Sequence, residues 1–163
     1  MNEIAPGTDR ELLRHSLATL AYRGGKVLRA APADFGSFRI GPTSRSPVEI
    51  VGHICDVLDW GLAMAEGEQR WSETRSFIWQ EQVDRFFEAL AAFDEYLASD
   101  RELGFPAARL LQGPVADALT HVGQIAMLRR LADSPVKGEN YAKAHITAGV
   151  VGEEQQPAVR EFD

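Results

Sequence analysis

Cysteine is nearly absent: Cys55 is the only one in 163 residues. It has no partner for an internal disulfide, and such usage fits a reducing compartment, so the expected location is cytoplasmic. Positive charge is also short. Seventeen Lys and Arg stand against 24 Asp and Glu, a formal net charge of −7, which argues against a nucleic-acid partner because such partners select for a basic patch. Arg129-Arg130 is too short a cluster to reverse that balance. No apolar run approaches the roughly 18 residues of a membrane-spanning helix, and Met1–Gly7 has no basic region leading into an apolar core, so neither a membrane partner nor a signal peptide is expected. Also missing are a Gly-rich phosphate loop, a Cys-x-x-Cys pair and a Gly-x-Ser-x-Gly elbow, along with the chemistries those motifs carry.

What remains is an ordinary globular composition, 45% hydrophobic and 25% charged, on a chain long enough to bury roughly 70% of its unfolded surface. With no internal repeat or composition break, residues 1–163 read as one domain. Thr8-Asp-Arg-Glu11 reads as a capping box, and apolar residues at helical spacing predict a helix from 8 to about 30, with Gly24-Gly25 as a weak point or a close helix crossing. Pro32 opens a connection to residue 45 onto which Phe35, Phe38 and Ile40 are expected to tuck. Ser46-Pro-Val-Glu49 is the clearest helix start, with serine as cap, proline in the first position and glutamate closing the box. That helix runs to about Glu66 with Asp56 and Asp59 on its wet side, and Cys55 on its apolar face reads as a small buried hydrophobe. Gly67–Ser76 reads as a polar turn region containing Trp71. A third helix spans about Phe77–Ser99, its solvent side marked by Asp84, Arg85, Asp94 and Glu95.

The fourth helix differs from the others. It is expected to open at Gly113-Pro114 and to run to paired arginines near residue 130, where cations favour a helix C-terminus. Asp117 is its only formal charge before Leu128, and a helix apolar all round belongs at a centre or a self-association surface. Pro135 ends it, and residues 135–163 read as an irregular tail. Four helices and no convincing strand predict an all-α four-helix bundle over about residues 8–134. Such bundles hold metal and ligand sites between facing helices.

Asp117 and His121 are one turn apart on one face of that helix, and His53 lies at the apolar edge of the second. Three protein ligands with an open position is the arrangement of catalytic zinc, and two histidines with one carboxylate also serve non-haem iron. By spacing alone, a hydrogen-bonded core histidine and an aspartate complementing a helix dipole account for the same residues.

Two segments carry a resemblance: Ser46-Pro-Val-Glu-Ile-Val-Gly-His-Ile-Cys-Asp-Val-Leu-Asp-Trp60 and His121-Val-Gly-Gln124. Together with helix order and length, they resemble the DinB/YfiT-like superfamily of metal-dependent bundle proteins. In that family a histidine lies early in the second helix, and two more, four apart, lie on the last, the second often leading into His-Arg-Gly-Gln. The resemblance implies that His53 and His121 are ligands. Where the family usually has its other histidine this chain has Asp117, a competent but harder and more anionic donor. It further implies an up-down-down-up topology, frequent homodimers, and a divalent ion such as zinc or nickel. Some relatives are thiol transferases that act with bacterial low-molecular-weight thiols, and many have no assigned reaction.

The expected function is a metal-dependent enzyme, a thiol S-transferase or hydrolase in which an ion at His53, Asp117 and His121 activates a water or thiol. Gln124 would orient that ligand or a substrate carbonyl, Trp60 and Met64 would line a pocket, and Asn140 would reach the site if the tail folds over it. The competing reading is a non-catalytic dimeric bundle that binds a metal or small ligand.

Overall fold

The computed structural model describes residues 6–162; Met1–Ala5, part of the segment considered for a leader, lies outside them. Among the described residues the fold is all-α but for one two-residue ladder. Four long helices, α1 (Pro6–Leu28), α2 (Pro47–Ala65), α3 (Trp79–Ala98) and α5 (Ala116–Leu131), account for most of it. A short α4 (Ala107–Leu110) runs through a π-helical turn (Leu111–Val115) directly into α5. No helix of the described residues is long and apolar enough to cross a membrane.

The helices pack in a closed cycle, α1 on α3, α3 on α2, α2 on α5 and α5 on α1, around one core in which Leu17, Leu58, Phe86, Phe93 and Ile125 are fully buried. Cross-contacts fix their directions. Arg14 binds Asp94 while Gly24 meets Phe86, so α1 and α3 are antiparallel. Cys55 meets Gln82 and Gly61 meets Phe93, so α2 and α3 are parallel. The glycine pair in α1 marks a close helix crossing: a Cβ on Gly24 would fall 2.4 Å from the Phe86 ring, and the helix passes through the pair unbroken.

Parallel neighbours need a long return. Residues 67–78 supply it, since about twelve extended residues reach roughly 40 Å while the 19 residues of α2 rise only about 28 Å. This strap lies along α2, where Thr74 packs on Gly52 and bonds Asp56. Asp56 and Asp94, expected in water, are buried. Each is neutralised from another helix, Asp56 by Arg85 at 2.8 Å and Asp94 by Arg14 at 2.9 Å. A buried carboxylate persists only with such a partner.

Several boundaries move. The capping box at Ser46 forms, its amide donating to Glu49 Oε2 at 2.7 Å. Thr8 caps nothing, because α1 already begins at Pro6. The first helix ends at Leu28 in a turn with Ala30 at φ +51°, before Pro32 acts. In the following connection Phe35 is buried under Trp79, but Ile40 is 60% exposed. The third helix starts at Trp79, leaving Phe77 and Ile78 exposed. Gly113-Pro114 is no helix start: proline lacks the N–H for an i−4 bond and its ring crowds that carbonyl, and here the helix widens by one residue instead of stopping. Nor is the following helix central. Ala116, Thr120, Gly123, Gln124 and Met127 form an exposed stripe along it.

The tail is more ordered than expected. Gly138–Glu139 (β1) pairs antiparallel with Glu161–Phe162 (β2). Glu139 is buried against α1, accepting from Tyr22 Oη at 2.6 Å and Lys26 Nζ at 2.7 Å.

Candidate metal centre

The α2–α5 interface is set by what residue 61 lacks. A Cβ on Gly61 would lie 3.0 Å from the Pro114 ring and 2.7 Å from Phe93, so α2 approaches the π turn closely only because that position is bare. Gly61 faces Pro114 while His53 faces Asp117, which makes α2 and α5 antiparallel. Two turns back along α2 from Gly61, the same seam carries His53.

There the three sequence-predicted ligands converge. Asp117 Oδ2 is 3.7 Å from His53 Nε2 and 3.6 Å from His121 Nε2. One donor atom from each residue lies within 4.8 Å of the others. These separations are too long for hydrogen bonds. The two Asp117–histidine distances suit an ion, since donors each about 2.0–2.2 Å from one metal lie roughly 3–4 Å from one another. The imidazoles stand edge to face with centroids 4.7 Å apart.

Protonation states favour the same arrangement. His121 Nδ1 is 2.8 Å from Gln124 Oε1. An amide oxygen only accepts, so Nδ1 donates to it, and Nε2 is the ring nitrogen that faces Asp117. A carbonyl partner on the far nitrogen is the usual companion of a metal-bound histidine. Burial, with smaller pushes from His121 and Arg45, lowers the His53 pKa despite Asp117 and Asp56, which keeps its ring in the neutral form a ligand needs. The histidine side chains are 25% and 14% exposed and that of Asp117 47%, so the half-shell opens on the aspartate side, where water or substrate can enter.

The other expected residues fare differently. Gln124, assigned to a bound ligand or substrate, sits on His121 and acts through that ring. Trp60 is half-buried beside the site, its ring 6.2 Å from that of Trp71. Met64 is in the core; it lies eleven residues beyond His53, about 16 Å along the helix. Asn140 is on the tail, capping the turn at Tyr141 and bonding Arg160, beside the Glu139 anchor to α1. Trp71 was missed as a neighbour of the site. The strap places its ring 5.9 Å from His53, and a tryptophan alone in a polar turn was the one available signal. Cys55 is fully buried, its thiol pushed up to about 12 by desolvation, which removes it from nucleophilic chemistry.

Comparison with protein-family models, curated proteins and solved structures returns no match, so the functional reading rests on the residues themselves.

Proposed function

We propose that this chain is a metal-dependent enzyme holding one divalent transition-metal ion, zinc or nickel, at His53, Asp117 and His121. Its reaction class is thiol S-transfer or hydrolysis on a small molecule, including a low-molecular-weight thiol as co-substrate. The observation that carries the reading is the convergence of two imidazole Nε2 atoms on one carboxylate oxygen at non-bonding distance, with Gln124 holding the His121 ring by Nδ1 so that Nε2 faces that oxygen. When bound, the ion supplies a lowered pKa for a coordinated water or thiol. The chain's own residues do the rest. His53 and His121 present neutral nitrogens from facing helices, Asp117 supplies negative charge and an open side, and Trp60 and Trp71 shield the His53 flank from water.

An up-down-down-up bundle of the DinB/YfiT-like type belongs to the same proposal. It is supported by the parallel α2–α3 pair, the antiparallel α1–α3 and α2–α5 pairs, and the long strap that the parallel pair requires. The test is turnover of the metal-depleted and reconstituted protein with glutathione or cysteine plus an alkylating electrophile, and with activated esters. The expected result is turnover that needs added zinc or nickel and disappears in His53→Ala and His121→Ala. Metal-independent turnover, or turnover that survives both substitutions, contradicts the proposal. Stoichiometric metal binding without turnover on either panel favours a non-catalytic binding protein instead.

A further inference from the structure

A groove of about 420 Å³ runs from His121 and Gln124 along the outer face of α5, walled on the far side by the connection between α1 and α2. Ile40, Met127 and Leu131 flank it and are 60%, 57% and 51% exposed. A single exposed apolar side chain is ordinary, but three converging on one concavity with two polar groups at its end describe a ligand surface. Leu128 and Ile50 form its buried base.

Arg45 is the only formally charged side chain in this lining. Among the described residues it makes no ion pair or hydrogen bond, whereas Arg39, in the same connection, is held by Glu49 at 2.8 Å. Arg45 shares this lining with His121 and Gln124. A chain of net charge −7 thus keeps an uncommitted cation where an apolar groove meets the candidate metal centre.

We infer that this groove is the substrate-recognition half of the site and takes an amphipathic carboxylate, with its aliphatic arm between Ile40, Met127 and Leu131 and its carboxylate on Arg45. The arm and the anion would then hold a reacting group near His121. The inference deepens the metal-site reading and rests on it for the reaction alone, because the groove is built from protein side chains.

The test uses the full chain, stripped of metal so that no ion competes for the carboxylate, with octanoate and its neutral counterpart octanamide titrated by calorimetry. Octanoate is expected to bind about tenfold tighter than octanamide, the worth of one charge-assisted contact. Arg45→Gln should erase that difference. Met127→Asp, at an exposed position, should weaken both ligands about tenfold or more, and Leu131→Gln serves as a second variant with circular dichroism as the folding control. Zinc content of the reconstituted variants should stay at the wild-type level. Loss of zinc binding in the wild-type chain with intact octanoate selectivity would sink the metal centre but not the groove. Equal affinity for the two ligands, or a preference that survives Arg45→Gln, overturns the inference. So does a chain dimer that Met127→Asp converts to monomer, since the face would then belong to a second copy.

Discussion

Arg129 shows how far one side chain reaches beyond its own helix. The paired arginines were read as complements to a helix C-terminus, yet Arg129 is buried and caps a different helix. Its guanidinium donates to Val27 O and Arg29 O, each at 3.1 Å, and its Nε to Ser134 O at 2.7 Å. Carbonyls at the end of α1 that lack an intrahelical donor thus find one. Arg129→Met should cost about 3 kcal/mol in urea unfolding, because it strands several acceptors at once; a loss under 1 kcal/mol would mean water replaces the guanidinium freely. Cys55 gives a pH-dependent prediction. The unfolded thiol loses its proton near its ordinary pKa while the folded one holds it to about 12. The folded state therefore binds more protons in that interval, and stability falls as pH rises through it. Cys55→Ala should flatten the decline in stability between pH 8 and 10, and native Cys55 should resist alkylation at pH 8. At this scale the sequence was legible where spacing carried information, as for Asp117 and His121 four apart. Trp71 and Arg45 lie in connections without periodicity, and only the packed chain shows what they face.

At the scale of elements, the strap and the π turn decide the site. The return of residues 67–78 is anchored by Asp56, which accepts from Thr74 N and Oγ1, each at 2.8 Å, and from Arg85. That anchor holds Trp71 over His53. Asp56→Ala leaves Arg85 half-buried without its inner partner and should destabilise the fold by about 3 kcal/mol. It should also release Trp71, so that nickel or copper quenches tryptophan fluorescence less than in the wild type. Unchanged quenching would mean the strap holds its place without Asp56. Helix starts read well where the signal is local and complete, as at Ser46-Pro-Val-Glu49. They failed at Gly113-Pro114, where a helix already in progress absorbs a proline by widening a turn. Charges were misread at Asp56 and Asp94 for one reason: their neutralising arginines sit on other elements, and a linear pattern shows only the charge.

For the whole molecule, the candidate centre ties α2 to α5 across a seam that Gly61 and Pro114 already hold close. An ion bound only by the folded chain stabilises it by mass action. Zinc at about a hundredfold above its dissociation constant should add about 2.7 kcal/mol. For a domain of this size that is a rise of roughly 5–10 °C in Tm, and it should vanish in His121→Ala. The all-α class was legible because helical periodicity and caps recur along the chain, while the β1–β2 ladder was not, since two residues per strand carry no pattern. The most direct check of the central claim is a cobalt(II) titration of the metal-free chain followed by visible absorption. The predicted result is ligand-field bands that saturate at one equivalent per chain and are lost in His53→Ala, Asp117→Ala and His121→Ala alike, with affinity about 10–100-fold weaker in Gln124→Leu, where only the far side of the His121 ring is disturbed. No saturable band, or a band indifferent to all three alanine substitutions, would contradict the account.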